Sequence, residues 1–374
     1  MKSTIRTLYI LALVAVGAVG LPARAEAPST DQIRRELREL LTAHGTRMPG
    51  APGNMALQQH VQQAFAESGF EHGTMKFETP VFTPGKASLQ AGEQTYAIKT
   101  MHPSMMRPGN FKQRSLNTRL VYFGRGEHAD LERLAGVDLD GVVALMDYSC
   151  DRNWVYLQRY GVTGFLFIGQ DDYLHRHSTS KVPNSEVSCP RYFLPKAAGE
   201  RLRDQVQAAG KDGLEVTIDS EPSRWDKREL ANPWVIIPAA ADAEFEKARA
   251  EFPSAALPPH LRRKNHQGPA RMREVVVVTA PLDARSVVPE NATGAQSGGN
   301  IYLLLKLLEY FREHTPKRTV VLAAVNAHTQ HYKGERILAW HLCAGGAQVA
   351  STRNAINNDR REAQLYVDHY ELVD

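Results

Sequence analysis

Two runs of β-branched apolar residues, separated by an amphipathic segment, constrain the fold of this chain most. Residues 274–278 are Glu-Val-Val-Val-Val, and residues 319–325 are Thr-Val-Val-Leu-Ala-Ala-Val. Runs of this kind are typical of central parallel strands that are buried on both faces. Between them, residues 301–314 place leucines at helical spacing and end just before Pro316. The sequence therefore predicts a right-handed βαβ unit and an α/β fold.

The first 25 residues have the layout of a secretory signal peptide. A basic leader precedes an apolar run over residues 8–21, and residues 23–25 are Ala-Arg-Ala, a small-x-small cleavage pattern. An uncleaved N-terminal anchor is the alternative, although the apolar run is short for a membrane span. We therefore expect an exported protein, periplasmic or secreted, that has no membrane contact after signal cleavage.

Charge and cysteine content exclude some classes of partner and site. The net charge of +4 is small for 374 residues, and no basic run with interleaved aromatics occurs, so nucleic acid is a poor candidate partner. The three cysteines, Cys150, Cys189 and Cys343, have no CxxC spacing and do not resemble a zinc cluster. In an oxidising compartment Cys150 and Cys189 could form a disulfide, which would leave Cys343 alone.

Several segments, taken in order, resemble the zinc aminopeptidase and glutamate carboxypeptidase family, the group that includes transferrin receptor. Residues 47–53, Arg-Met-Pro-Gly-Ala-Pro-Gly, precede an amphipathic helix that ends in Ser-Gly-Phe at residues 68–70. Residues 120–168 resemble the protease-associated domain that is often inserted in these proteins, and residues 275–338 resemble the first half of the catalytic core. The resemblance covers nearly all of the chain after the signal peptide.

This resemblance implies a three-layer zinc-exopeptidase-like α/β sheet with helices on both faces, interrupted by a small α/β domain. The expected boundaries are a signal peptide at 1–25, the first part of the peptidase-like domain at 26–115, a protease-associated-like domain at 116–220, and an incomplete peptidase-like α/β domain at 221–374.

Enzymes of this family hold two zinc ions that activate a water for attack on a peptide carbonyl. The resemblance places their first ligand motif, His-x-Asp, where this chain has Pro281, leucine and Asp283. Asp283 matches the motif, but proline cannot bind a metal. In the second motif, Gly-Ala-x-Asp-Asn, Ser297 stands in place of the metal-bridging aspartate. The third motif, Glu-Glu, is replaced by His328 and Thr329.

We therefore expect a homologue of amino- and carboxypeptidases that lacks normal two-zinc catalysis and binds a peptide or protein ligand. Zinc, the family's cofactor, is expected to be absent or altered. The alternative is an active exported metallopeptidase with an unconventional metal site formed by Asp283, His328 and His331, in which His328 is also the candidate catalytic base. The competing interpretation is that these side chains are polar loop and turn residues, since a metal site needs three or four convergent ligands.

Ser297 invites a nucleophile interpretation, but it lacks the Gly-x-Ser-x-Gly elbow. The glycines around it indicate tight packing at a helix start. The remaining family ligands lie further along the chain, where Asp368 is a loose match, and the sequence ends at Asp374 before the late histidine. A truncated fragment without function is a third interpretation, because residues 344–361 lack the apolar pattern of a further core strand.

Overall fold

The structure is a computed structural model that describes residues 29–240 and 275–343. The predicted signal peptide at 1–25 and the loosely matched Asp368 lie outside the described residues. In the part of the chain that the structure describes, no helix is long and apolar enough to cross a membrane.

The described residues form both α-helices and β-strands. The helices are α1 (Thr30–His44), α2 (Pro52–Ala66), α3 (His128–Arg133), α4 (Asn153–Leu157), α5 (His175–Thr179), α6 (Lys196–Ala208), α7 (Ala295–Glu313) and α8 (Lys333–Cys343). The strands are β1 (Glu71–Thr83), β2 (Ala87–Ala91), β3 (Gln94–Thr100), β4 (Ser115–Tyr122), β5 (Val143–Asp147), β6 (Gly164–Ile168), β7 (Arg191–Leu194), β8 (Leu214–Ser220), β9 (Arg224–Ile237), β10 (Val276–Pro281) and β11 (Val320–Val325).

The chain divides into two compact units after Glu39. The described part of the first unit is the beginning of α1, where the Ser29 hydroxyl accepts a hydrogen bond from the backbone N–H of Gln32 at 3.2 Å. This N-terminal cap satisfies one of the unpaired donors of the first turn. The second unit begins at Leu40 and contains every other element described below.

A four-stranded sheet forms the centre of the peptidase-like part, in the order β1-β9-β11-β10. Strands β10 and β11 are parallel, with Val276 opposite Val320, and α7 connects them. The predicted βαβ unit is therefore confirmed. The prediction that both strands are central and buried is wrong for β10, which lies at the edge of the described sheet with Val276 and Val277 exposed. Strand β9 is antiparallel to both of its neighbours, β1 and β11.

The side chains of β11 alternate between two helix-covered faces. Leu322 packs in one apolar cluster with Leu57 of α2 and Ile301 of α7. Val325 points to the opposite face, where it packs with Leu338 of α8. Because successive residues of a strand point to opposite sides, helices cover both faces of this sheet. The predicted three-layer α/β architecture is confirmed.

Between β1 and β9 the chain forms a closed seven-stranded barrel, in the order β2-β3-β7-β6-β5-β4-β8. Strands β4, β5, β6 and β7 run parallel to one another, and the remaining pairs are antiparallel. Strands β5 and β6 of the barrel are apolar and largely buried, and Trp154 of α4 is fully buried against them. Hairpin β2–β3 belongs to this barrel although it precedes residue 116, where the sequence composition changes.

Cys150 and Cys189 are free thiols, so the disulfide predicted between them is not formed in this structure. Cys150 is buried beside the ammonium group of Lys181, whose Nζ donates to the carbonyl oxygen of Tyr148 at 2.8 Å. Burial raises the pKa of each thiol to about 11. Both cysteines are therefore neutral packing groups in the apolar core of the barrel.

Candidate functional site at the carboxyl ends of β10 and β11

Asp283 connects the two loops that leave the parallel strands. It lies two residues after β10 and only 1% of its surface is exposed. Its Oδ1 accepts the backbone N–H of His328 at 2.9 Å, and its Oδ2 accepts both the backbone N–H and the hydroxyl of Thr329, at 2.9 and 2.6 Å. Because parallel strands end at the same edge of a sheet, this carboxylate links the end of β10 to the loop after β11.

The loop after β11 is strained. Ala327, His331 and Tyr332 have φ values of 56°, 53° and 56°, in the left-handed region that non-glycine residues rarely adopt. Such conformations cost about 1–3 kcal/mol each and are concentrated at functional sites. The surroundings hold the loop in place, for example through Gln330, whose Nε2 donates to the carbonyl oxygen of Pro80 at 2.8 Å.

The imidazole of His328 is paired with a carboxylate that the sequence analysis missed. Its Nδ1 forms a hydrogen bond with Glu335, in the first turn of α8. Its ring also packs edge-on against Tyr332, with centroids 4.9 Å apart. An acidic residue in the first turn of the helix after a site strand is the signal that could have identified this partner. His331, the second predicted imidazole ligand, is exposed.

Arg47 supplies a buried positive charge at the start of α7. Only 1% of its surface is exposed. Its Nε donates to the carbonyl oxygen of Thr293 at 3.1 Å, and its Nη2 donates to the carbonyl of Gly294 and to the Ser297 hydroxyl, the latter at 3.1 Å. Its Nη1 is buried and has no hydrogen-bond partner among the described residues. Burial lowers the pKa of Arg47, and the nearby carboxylate of Asp283 acts in the opposite direction.

Gly294 marks the beginning of α7 and cannot be replaced without strain. Its φ of 57° is left-handed, and a Cβ built there would lie 2.3 Å from the Cβ of Ala284. The hydroxyl of Ser297 donates back to the Gly294 carbonyl at 3.1 Å. The glycine therefore serves close packing at a helix start, as the sequence predicted.

A network of buried amides holds the base of the site. Asn326 follows β11 directly; its amide exchanges hydrogen bonds with Asn54 and donates to Gln58, and its backbone N–H donates to Asn232 at 2.9 Å. Asn232 in turn donates to the carbonyl oxygen of Gly334 at 2.8 Å. These residues were not predicted from the sequence, although a polar residue at the end of an apolar strand was the available signal. A fully satisfied network of this kind makes the surrounding loops rigid.

The predicted metal ligands are only partly brought together. Asp283 contacts His328 through the histidine's backbone, and Thr329 is a hydrogen-bond donor to Asp283. Pro281 lies in β10 opposite Val325. Within residues 29–240 and 275–343, no three His, Cys, Asp or Glu side chains lie close enough together to hold a metal ion. A zinc site needs three or four convergent donors, so the described residues do not by themselves supply a two-zinc centre.

The rim of the barrel holds the segment between Asp283 and Gly294. The backbone N–H of His102 donates to the carbonyl oxygen of Val287 at 2.7 Å, and Lys99 Nζ donates to Asn291 Oδ1 at 2.7 Å. Burial lowers the pKa of His102 to about 4, with a smaller contribution from Arg285 in the same direction. His102 is therefore neutral where it contacts the loop of the candidate site.

Acidification is expected to destabilise the protein through His102. The unfolded imidazole binds a proton near pH 6.5 and the folded one only near pH 4, so the stability due to neutral His102 is complete above pH 6.5 and lost as the pH falls toward 4. From pH 7 to pH 5 the loss is about 2 kcal/mol. Urea unfolding at several pH values will measure it. The variant His102→Gln should lose this part of the pH dependence; an unchanged slope in the variant would contradict the assignment.

Comparison with solved structures identifies what this architecture is similar to. BSAP, a zinc aminopeptidase from Bacillus subtilis, matches with a TM-score of 0.50 at 14% sequence identity, over 82% of this chain and 63% of that chain. The chain has the zinc aminopeptidase fold. At this identity the likeness shows the fold alone, and no protein-family model and no curated protein matches the sequence.

Two further solved structures match at lower TM-scores. An aminopeptidase from Aneurinibacillus sp. strain AM-1 matches with a TM-score of 0.42 and 16% identity, over 83% of this chain and 66% of that chain. A Peptidase M28 precursor from Shewanella amazonensis SB2B matches with a TM-score of 0.44 and 14% identity, over 83% of this chain and 69% of that chain. The chain thus spans less than two thirds of the length of BSAP and of the Aneurinibacillus enzyme.

Proposed function

We propose that this chain is an exported relative of zinc aminopeptidases that has lost two-zinc catalysis and binds a peptide or protein ligand. One observation carries the proposal. The donors that remain at the family's metal positions are engaged in contacts within the protein, because Asp283 binds the loop after β11 and the His328 imidazole binds Glu335. The proposal of export rests on the signal-peptide pattern of residues 1–25.

The chemistry of the site supports the loss of catalysis. Two-metal hydrolysis needs carboxylates that offset the charge of two divalent ions and bridge them. At the bridging position this chain has Ser297, a neutral hydroxyl that accepts a hydrogen bond from the Arg47 guanidinium. A buried cation at this place adds positive charge where a metal pair would need negative charge.

The rigidity of the site supports a binding role. The strained loop after β11, the amide network around Asn326 and the barrel contacts of Val287 and Asn291 fix the edges of the site on three sides. A preorganised surface binds ligands without a large ordering cost. A peptide is the ligand class we propose because BSAP, which shares the fold, is an aminopeptidase. We also propose that the barrel is the protease-associated-like domain.

Zinc content tests the proposal directly. The chain, purified without chelator and dialysed against trace zinc, is expected to contain far less than one zinc per molecule by plasma mass spectrometry, whereas an intact family centre would hold about two. An aminopeptidase that binds two zinc ions, treated in parallel, is the control. Two tightly held equivalents in this chain would overturn the proposal.

The same samples test the alternative of an unconventional metal site. Peptidase activity should stay at background for the wild type and for His328→Ala alike. If the wild type is active and His328→Ala abolishes turnover without loss of folding, the alternative site of Asp283, His328 and His331 replaces this proposal.

A further inference from the structure

The first turn of α7 is an open, electropositive surface. A helix start leaves backbone N–H groups without intrahelical acceptors, and the aligned peptides add a partial positive charge there. At the start of α7, the N–H of Gly298 is the first to donate within the helix, to the carbonyl oxygen of Gly294. The N–H groups of residues 295–297 come before it and lack an acceptor within the helix. Ala295 and Gln296 are exposed, and the turn contains no acidic residue.

A buried guanidinium stands behind this turn. Arg47 contacts the turn through the Gly294 carbonyl and the Ser297 hydroxyl, and its Nη1 has no partner among the described residues. A buried donor without an acceptor is costly and calls for an explanation, for which a bound ligand is one candidate. The carboxylate that faces Arg47, Asp283, already accepts three hydrogen bonds from the loop after β11.

We propose that the start of α7, with Ser297 and the Arg47 guanidinium behind it, binds a carboxylate of the peptide or protein ligand. This inference rests on the proposed function and names the group of the ligand that the site recognises. The carboxylate accepts hydrogen bonds from the N–H groups of residues 295–297, and the Arg47 charge stabilises it from the buried side. The Ser297 hydroxyl, which donates to the Gly294 carbonyl in the free protein, turns to donate to the bound carboxylate.

The position of Ser297 explains why an external carboxylate is needed. An aspartate side chain in the first turn of a helix occupies the free N–H groups and offsets their charge. Serine supplies only a neutral hydroxyl, so no acidic side chain in the first turn of α7 offsets the positive charge of the helix start. An acidic side chain restored at residue 297 should therefore compete with the ligand.

The test uses the full chain and small carboxylate probes in the presence of a chelator. N-acetyl-leucine carries a C-terminal carboxylate, N-acetyl-aspartic acid α-amide carries a side-chain carboxylate, and N-acetyl-leucinamide is the neutral control. We expect a carboxylate probe to bind with a Kd of about 1–10 mM and to shift the amide NMR signals of residues 295–297. The two carboxylate probes distinguish a chain terminus from an acidic side chain as the source.

Two variants at residue 297 distinguish an effect on carboxylate binding from an effect on folding. Ser297→Asp is expected to fold at least as stably as the wild type and to bind the carboxylate probe at least about tenfold more weakly. Ser297→Ala, which keeps the N–H groups, is expected to weaken binding by about tenfold or less.

Equal binding of the neutral probe, absence of binding, or undiminished binding by Ser297→Asp would overturn the inference. Zinc content, measured separately on protein purified without chelator, reports on the proposed function. Metal-free protein that fails to bind carboxylate contradicts only the carboxylate site.

Discussion

Replacing Asp283 with alanine is expected to lower the free energy of unfolding by about 3–5 kcal/mol in protein freed of divalent metal. The carboxylate is buried and accepts two backbone N–H groups and one hydroxyl from the loop after β11. The alanine variant leaves these donors unpaired, and it leaves Arg47 without the carboxylate that faces it. Release of the strain at Ala327 and His331 offsets part of the loss, because the loop is no longer held.

Chemical denaturation with and without chelator measures this effect and identifies its cause. If Asp283 were mainly a metal ligand, chelator would reduce the stability of the wild type to that of the variant. We expect chelator to leave the wild type unchanged. Asp171→Ala is the matched control, because that carboxylate is exposed and its solvent-exposed ion pair with Lys196 adds little to stability. A variant at Asp283 as stable as the wild type would refute the structural role.

The two parallel strands of the central sheet were predictable because they are apolar runs. Strands β10 and β11 and helix α7 lie close to the predicted positions, and the periodicity of residues 301–314 identified the buried face of the helix. The helix begins earlier than that, at Ala295, because its first turn contains glycines and polar residues that carry no apolar pattern. The local sequence therefore predicted which strands and helices form better than it predicted the residues at which they begin and end.

The closure of the barrel could not be predicted from local pattern. Strands β2 and β3 are short and alternate in burial, and their membership depends on pairing with β8 and β7, far along the chain. Cys150 and Cys189 showed the same limit: a possible pairing follows from the count of cysteines, but the formation of a bond depends on geometry that the count does not contain.

The sequence predicted which residues belong to the candidate site but not which residues they contact. The resemblance placed Asp283, Ser297 and His328 at one edge of the sheet, but the contacts that decide their chemistry involve Arg47 and Glu335. Arg47 is separated from Ser297 by 250 positions in sequence, and no spacing rule connects them. The role of a side chain depends on the group that it contacts. The substituted ligand positions therefore indicate that the metal-binding residues have changed, but they do not indicate which contacts the new side chains make.

Replacing Gly334 with alanine is expected to destabilise the protein by about 3 kcal/mol and to loosen the site specifically. A Cβ at this position would lie 2.0 Å from the carbonyl oxygen of Asn326 and 3.0 Å from Asn232 Oδ1. The first of these atoms is backbone at the end of β11, so the start of α8 must move away from the strand. That movement breaks the bond from Asn232 to Gly334 and displaces the loop that carries His328.

Gly299→Ala provides the matched control, since a Cβ there meets nothing within 4 Å and α7 gains about 0.5–1 kcal/mol of helix propensity. The two variants add the same atom to helices of the same layered domain, yet their effects on unfolding should have opposite signs. Amide hydrogen exchange should accelerate at residues 326–329 in Gly334→Ala and stay unchanged there in Gly299→Ala. Uniform acceleration across the β-sheet would indicate global destabilisation, and would contradict a local role for the junction between β11 and α8 in holding the site.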